Sequence, residues 1–315
     1  MVLLMVSLWF YRDSLGDILT EIQKVTWTEL GISILLSSLG YLLEGLTIWR
    51  MMKNVIPRAM ANDGIFIAFV CEFYRLTTLG NGSGVAEIHY LHEKNVETGS
   101  AAVLTMIQYV MKRTAIMVLG IWGFLSLLRK DETQKLCREY AVFMGVGSLI
   151  TIVIIALFVC IVCSKGVAEA VLGIVGWLSA RFPSQKENFE KWKEQIRLLS
   201  KSGRSVLGQK KRMLGILFMQ SIKLLAFYAI PAYLFCGKIN LGTIESVWLM
   251  AVAFMLAGVI PAPSGAGSLE FVFLLFFAGF AGSGAAVSAL LLYRFATWVY
   301  PAVVGGILLL GHRFL

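Results

Sequence analysis

Charge is what this sequence has least of. Only 15% of its 315 residues are Asp, Glu, Lys or Arg, against roughly 25% in an ordinary soluble domain. With 58% hydrophobic residues and a mean hydropathy of +0.76, that scarcity excludes a water-soluble globular domain and predicts an integral membrane protein. Cysteine is sparse too. Cys71, Cys137, Cys160, Cys163 and Cys236 lie mostly inside apolar runs, and Cys160 and Cys163 share a helical face without a second pair, so neither a disulfide frame nor a zinc site is predicted. Of the three histidines, His89 and His92 fall in the order H-x-x-H-E, which lacks the H-E-x-x-H arrangement and any third ligand, so no metal is predicted. The chain has no nucleophile elbow, phosphate-binding P-loop or dinucleotide fingerprint, so no cofactor is expected. The formal charge of +9 is read as cytoplasmic loops beside anionic lipid rather than as a nucleic-acid surface.

What the chain does have is a broken apolar run. In Gly258 to Phe277, two prolines and three glycines interrupt membrane-grade hydrophobicity, with the core Pro261-Ala262-Pro263-Ser264-Gly265-Ala266-Gly267-Ser268-Leu269-Glu270. Non-helical backbone at membrane depth is tolerated only where it is buried in protein or lines a watery cavity. An earlier stretch, Gly82-Ser83-Gly84-Val85-Ala86-Glu87, repeats the G-x-G-x-x-E pattern. Twenty-six residues after Glu87 comes Arg113, and twenty-four after Glu270 comes Arg294, each inside an apolar run. The order is span, broken hairpin, then span with a central arginine, twice.

Spans are predicted over Leu30–Trp49, Ala101–Leu128, Ala141–Cys163, Met213–Cys236 and Ala285–Leu310, with Pro231 expected to kink the fourth. Ile65–Leu79 is short and carries Glu72 and Arg75, so it reads as the entering limb of a re-entrant hairpin that returns through Ile88–Leu91. Ile244–Ile260 and Leu269–Phe280 form the second hairpin, and Leu127–Glu139 reads as a mixed-charge loop. The N-terminal MVLLMVSLWFYR lacks a basic n-region and an A-x-A site, so it is not read as a signal peptide. Its ten or so apolar residues fall short of the ~20 that span.

Lys165 to Arg212 holds eleven basic residues against four acidic ones, a net of +7, which places it in the cytoplasm. Phe189, Trp192, Ile196 and Leu199 recur there at helical spacing, as in an amphipathic helix lying on headgroups or packed on the protein's own underside. The loop charges put the C-terminus inside; the N-terminus is inside if the first segment spans. The expected fold is therefore an all-α polytopic membrane protein with about six spanning helices and two re-entrant broken-helix hairpins in an inverted repeat. It is a single domain, 1–315, with a first repeat over 29–128, a linking span at 141–163, a basic loop at 165–212 and a second repeat over 213–311.

Such repeats place a binding site near the midplane, where half-helix N-termini point positive dipole ends at anions. The returning limbs are expected to start at Gly84 and Gly267, leaving Glu87 and Glu270 at the third helical position, where a carboxylate either caps its helix or contacts substrate. Arg113 and Arg294, with Lys112 and Lys223, supply fixed positive charge, and arginine's planar fork suits phosphate. The candidate substrate-binding set is Arg113, Arg294, Lys112, Lys223, Gly82, Gly84, Glu87, Pro261, Gly265, Gly267, Ser268 and Glu270. Intramembrane cations need partners, for which Glu44, Glu72, Glu87 and Glu270 are candidates.

The string IPAPSGAGSLEFVFLL resembles the P-x-P-G-G-x-G-x-x-E signature of the lysylphosphatidylglycerol synthase transmembrane region, the flippase-like family. YRLTTLGNGSGVAE and LYRFATW sit where that family has its first glycine-rich element and its final arginine helix. Pro261, Pro263, Gly265, Gly267 and Glu270 match the signature; Ser264 stands where glycine is usual, and the first copy lacks the prolines. The resemblance implies a bacterial inner-membrane domain of the kind that, in multiple peptide resistance factors, moves aminoacylated phosphatidylglycerol between leaflets. Full-length synthases carry a further soluble aminoacyltransferase domain, so a chain stopping at Leu315 is not expected to make aminoacylated lipid by itself.

The leading expectation is a non-enzymatic lipid flippase acting on a phospholipid or polyprenyl-phosphate headgroup, with anionic membrane lipids as its partners. Two rivals stand beside it. One is an intramembrane enzyme acting on lipid phosphate; the other is a non-transporting partner that recruits a separate lipid synthase through the basic loop.

Overall fold

The computed structural model describes residues 25–53, 55–78, 80, 82–163, 165–181, 189–190, 193–194, 210–258, 260 and 267–313. Among these there is no strand, and every element is helical. The first half comprises α1 (Trp27–Met52), α2 (Ala61–Thr77), α3 (Ser83–Glu93) and α4 (Thr98–Leu127). Then come α5 (Asp131–Glu139), α6 (Ala141–Cys163) and α7 (Lys165–Arg181). The second half comprises α8 (Lys210–Leu234), α9 (Thr243–Ala257), α10 (Ser268–Ala281), α11 (Ser283–Arg294), a π-helical turn (Phe295–Val299) and α12 (Tyr300–Arg313).

Four helical runs are long and apolar enough to cross a membrane: α1, α4, α8 and the continuous run Ser283–His312. The 23-residue α6 is the most apolar helix and presents Val142, Leu149 and Val153 outward. Where the sequence suggests a mixed-charge loop at 127–139, α5 forms instead; the Thr133 hydroxyl donates to the Leu127 carbonyl at 2.7 Å, folding the chain back onto the end of α4. The basic loop begins as helix α7. The amphipathic segment after it lies largely outside the described residues; within it Phe189, Glu190, Lys193 and Glu194 are helical, and Phe189 is buried. The N-terminal twenty-four residues also lie outside.

Local chemistry sets where α1 begins. The Glu29 amide donates to the Thr26 hydroxyl at 3.2 Å while the Thr26 amide donates to the Glu29 carboxylate at 2.8 Å, a reciprocal capping box. Glu29 also pairs with Lys238 between α8 and α9, tying the start of the first half to the second.

The helix pairing repeats itself. α1 packs against α8; α2 packs between α1 and α12, and α9 packs between α8 and α4. Small residues permit the close crossings. A methyl at Gly64 of α2 would lie 2.2 Å from the Gly45 carbonyl of α1, and one at Gly305 of α12 would lie 2.1 Å from the Phe69 carbonyl of α2. In the matching place of the other half, Gly120 of α4 sits against Met255 of α9, where a methyl would be 2.8 Å away. Lipid gives helices no hydrophobic reason to associate, so backbone proximity and packing carry these contacts.

The longer apolar core gathers Tyr228, Phe273, Phe276 and Phe277 with α9 and α11, and a second core joins α2 and α3 to the starts of α4 and α8. Between the two lies a cavity.

Candidate functional site

The cavity has a volume of about 560 Å³ and is lined by α1 to α4 of the first half and by α8 to α11 and the π-helical turn of the second. Tyr41 and Glu44 reach it from α1, Glu72 and Arg75 from α2, Gly84 and Glu87 from α3, and Lys112 and Arg113 from α4. The second half contributes Phe254 and Gly258 at the end of α9, Ser268 and Leu269 at the start of α10, and Arg294 with Trp298. Aromatic and aliphatic walls thus enclose a concentration of charge that the rest of the described interior lacks.

The carboxylates meet the cations selectively. Arg75 pairs with Glu72 at 3.0 Å, three residues apart on α2. Arg294 Nη2 lies 2.7 Å from Glu270 Oε1, both side chains mostly buried. Lys223, 2% exposed, pairs with Glu44 at 2.8 Å, and Glu44 also accepts from Gln220 at 2.8 Å and Gln108 at 3.3 Å. This last cluster ties α1, α4 and α8 at one level, so Lys223 acts as a buried counter-ion behind the cavity wall and not as a lining group.

Two cations are left over. Lys112 makes no ion pair among the described residues. Arg113 donates from Nε to the Tyr109 hydroxyl at 3.0 Å and stacks on that ring, with no carboxylate partner among the described residues. Its Nη1 stands where a methyl at Gly258 would be only 2.5 Å away, so the first half's arginine reaches the end of α9 in the second. Arg294 stays within its own half, 4.1 Å over Trp298, and Arg75 of the first half lies 5.2 Å from the same ring, arrangements in which the aromatic face partly stands in for water.

The arginine at 294 is positioned by the π-helical turn that follows it. The wider turn displaces the ladder, and α1 supplies the missing donors: Ser37 donates to the Ala296 carbonyl at 2.6 Å and Tyr41 to the Thr297 carbonyl at 2.7 Å. Single π-turns of this kind recur at functional sites.

The candidate residues read from sequence largely converge here. Arg113, Arg294, Lys112, Gly84, Glu87 and Ser268 line the cavity; Glu270 and Gly267 stand immediately behind Arg294; Lys223 holds Glu44; Gly82 flanks α3. Pro261 and Gly265 lie outside the described residues. The first helix start differs from expectation. α3 begins at Ser83 with Gly82 as its cap, and the Gly82 amide donates to the Thr78 hydroxyl at 2.7 Å. α10 begins at Ser268 with Gly267 as its cap, as the motif suggests. The Gly267 amide donates to the Glu270 carboxylate at 2.7 Å, with Gly267 at φ +91°, a conformation glycine adopts without strain. Both cap amides are therefore taken by the protein itself.

The earlier start of α3 puts Glu87 at the fifth helical position, past the reach of a cap. It faces Thr105 of α4, yet its Oε1 and the Thr105 hydroxyl are both buried without a hydrogen bond of ordinary geometry. The sequence reading assigned no site role to Arg75, Trp298 or Tyr109. Arg75 carried a signal, as a cation in a short apolar helix; the aromatic partners carried none, because Trp and Tyr are common throughout the chain.

No curated protein matches the chain. The model of the lysylphosphatidylglycerol synthase transmembrane region matches residues 1–305. The starts of α3 and α10 and the arginines at 113 and 294 line one cavity, and the chain belongs to that family of membrane-lipid proteins.

Proposed function

We propose that this protein moves a lipid with an anionic headgroup between the leaflets of a bacterial cytoplasmic membrane. One observation carries the reading: a cavity between two similarly packed halves holds two cations, Lys112 and Arg113, that form no ion pair with a carboxylate of the described residues. Unpaired charge at membrane depth is expensive and marks a functional site. A headgroup phosphate entering the cavity meets both cations and the free face of Arg294, while its tails remain in lipid. A phospholipid or polyprenyl phosphate fits this chemistry, and aminoacylated phosphatidylglycerol is the version in keeping with the family's description.

The matched packing of α2 with α12 and of α9 with α4 supports an inverted repeat with two re-entrant hairpins. Rocking one half against the other then exposes the cavity to each leaflet in turn. In this reading the protein is a carrier and not an enzyme; a separate lipid synthase supplies substrate when the lipid is a modified one.

The test is purified protein in liposomes with fluorescent phosphatidylglycerol, following leaflet exchange by dithionite quenching. Wild type accelerates exchange, and Arg113→Ala and Arg294→Ala lose it while remaining folded. Equal exchange in wild type and both variants would sink the reading.

A further inference from the structure

Among the described residues, Glu87 is the cavity-lining carboxylate that forms no ion pair. It projects into the cavity from α3, its Oε1 is buried, and no lysine or arginine forms an ion pair with it among the described residues. Most charges on the elements around it are paired elsewhere. On α2, Glu72 and Arg75 hold each other and Cys71 is a buried free thiol; on α1, Glu44 is held by Lys223 of α8. On α4, Lys112 and Arg113 face the same cavity but close no contact with Glu87. Glu270, at the same place in the second glycine-rich motif, is in contrast saturated by Arg294 and by the Gly267 amide.

A carboxylate buried without a cation is stable only if it takes up a proton or acquires a positive partner. An arriving phosphate makes the choice sharper, because it neutralises Lys112 and Arg113 and adds a negative charge nearby. We propose that Glu87 is a proton-binding site coupled to the headgroup site, so that a proton from cavity water is taken onto the Glu87 carboxylate as the lipid phosphate binds and is released to water when the lipid leaves. The lipid's negative charge then crosses the membrane accompanied by a proton, which removes the cost of carrying net charge through a low-dielectric path. The inference rests on the proposed headgroup site but not on transport.

Linkage fixes the direction: if binding takes up a proton, the bound state gains protons and affinity falls as pH rises. The experiment titrates short-chain phosphatidylglycerol, which has no amine, into the full chain in detergent, by calorimetry in buffers of different ionisation enthalpy. Wild type shows a buffer-dependent heat corresponding to proton uptake. Its affinity weakens from about pH 6 to about pH 8 by at least about fivefold, the lower end of ordinary coupling between sites. Glu87→Gln binds without buffer dependence or pH dependence, and Glu87→Asp restores both. Infrared difference spectra report the same event, as a protonated-carboxyl band that binding produces in wild type and not in Glu87→Gln.

Binding without proton uptake overturns the proposal, as does uptake that survives Glu87→Gln. Absence of any binding overturns it together with the headgroup site. A loss confined to ethanolamine lipids in Glu87→Gln, with no uptake on phosphatidylglycerol, also overturns it and makes Glu87 an ammonium subsite. Proton-linked binding without leaflet exchange in liposomes retains Glu87 as a proton site and removes the translocase.

Discussion

The two glycine-rich elements carry the same G-x-G-x-x-E pattern and have different fates. In the second, Gly267 caps α10 and Glu270 turns back to its amide while holding Arg294. In the first, the helix starts one residue before the motif's second glycine, Thr78 takes the Gly82 amide, and Glu87 is carried round to the cavity. The second element is closed electrostatically and the first is open. A shared motif therefore specifies a helix start in an apolar run, while the residue that caps it decides whether the glutamate is structural or available.

The largest effect that tests this difference is expected at the arginines. Arg294→Ala should abolish exchange and cost about 3 kcal/mol of stability, because it strands the Glu270 carboxylate. Arg113→Ala should abolish exchange equally but change stability by less than about 1 kcal/mol, since it breaks only a contact with an exposed tyrosine. Thermal unfolding in detergent beside the liposome assay separates the two, and adding Glu270→Gln to Arg294→Ala should recover stability without recovering exchange. The glutamates come next. Glu270→Gln should destabilise by about 1–3 kcal/mol, losing an ion pair and weakening a cap, whereas Glu87→Gln should stay within about 0.5 kcal/mol of wild type. Reversed values would show that the first element, and not the second, is the closed one.

Smaller still, Gly258→Ala should slow exchange severalfold with little change in melting, because the new methyl displaces the flexible tip of Arg113 and no backbone. The smallest effect is expected for Thr78→Val, about 1 kcal/mol from two lost hydrogen bonds of an exposed hydroxyl, to the Tyr74 carbonyl and from the Gly82 amide; a larger loss would mean that the start of α3 depends on that cap alone.

The membrane class was legible from composition, because a chain this apolar has no other way to satisfy its surface. The limits of α1, α4 and α8 fell within a few residues of the predicted runs for the same reason: backbone groups in lipid must be satisfied within the segment, so length follows hydropathy. Arg113, Arg294, Lys112 and Glu87 were readable as site candidates because charge inside an apolar run needs a purpose. Lys223 was equally conspicuous, yet its partner Glu44 lies 179 positions earlier in the chain, and no local pattern distinguishes a substrate cation from a buried counter-ion.

By itself, then, the sequence determined that the chain is helical, membrane-embedded and broken at two glycine-rich points with an arginine after each. These are consequences of local hydropathy, backbone freedom and the cost of charge in lipid. The tertiary structure decided which charges pair. Glu270 with Arg294, Glu44 with Lys223 and Glu72 with Arg75 leave Lys112, Arg113 and Glu87 facing one cavity. Most of that division rests on which helices cross and at what level, set by the close contacts at Gly64, Gly120 and Gly305. Coulomb energy depends on separation in space, and separation in space between remote helices is written in their packing rather than in their order.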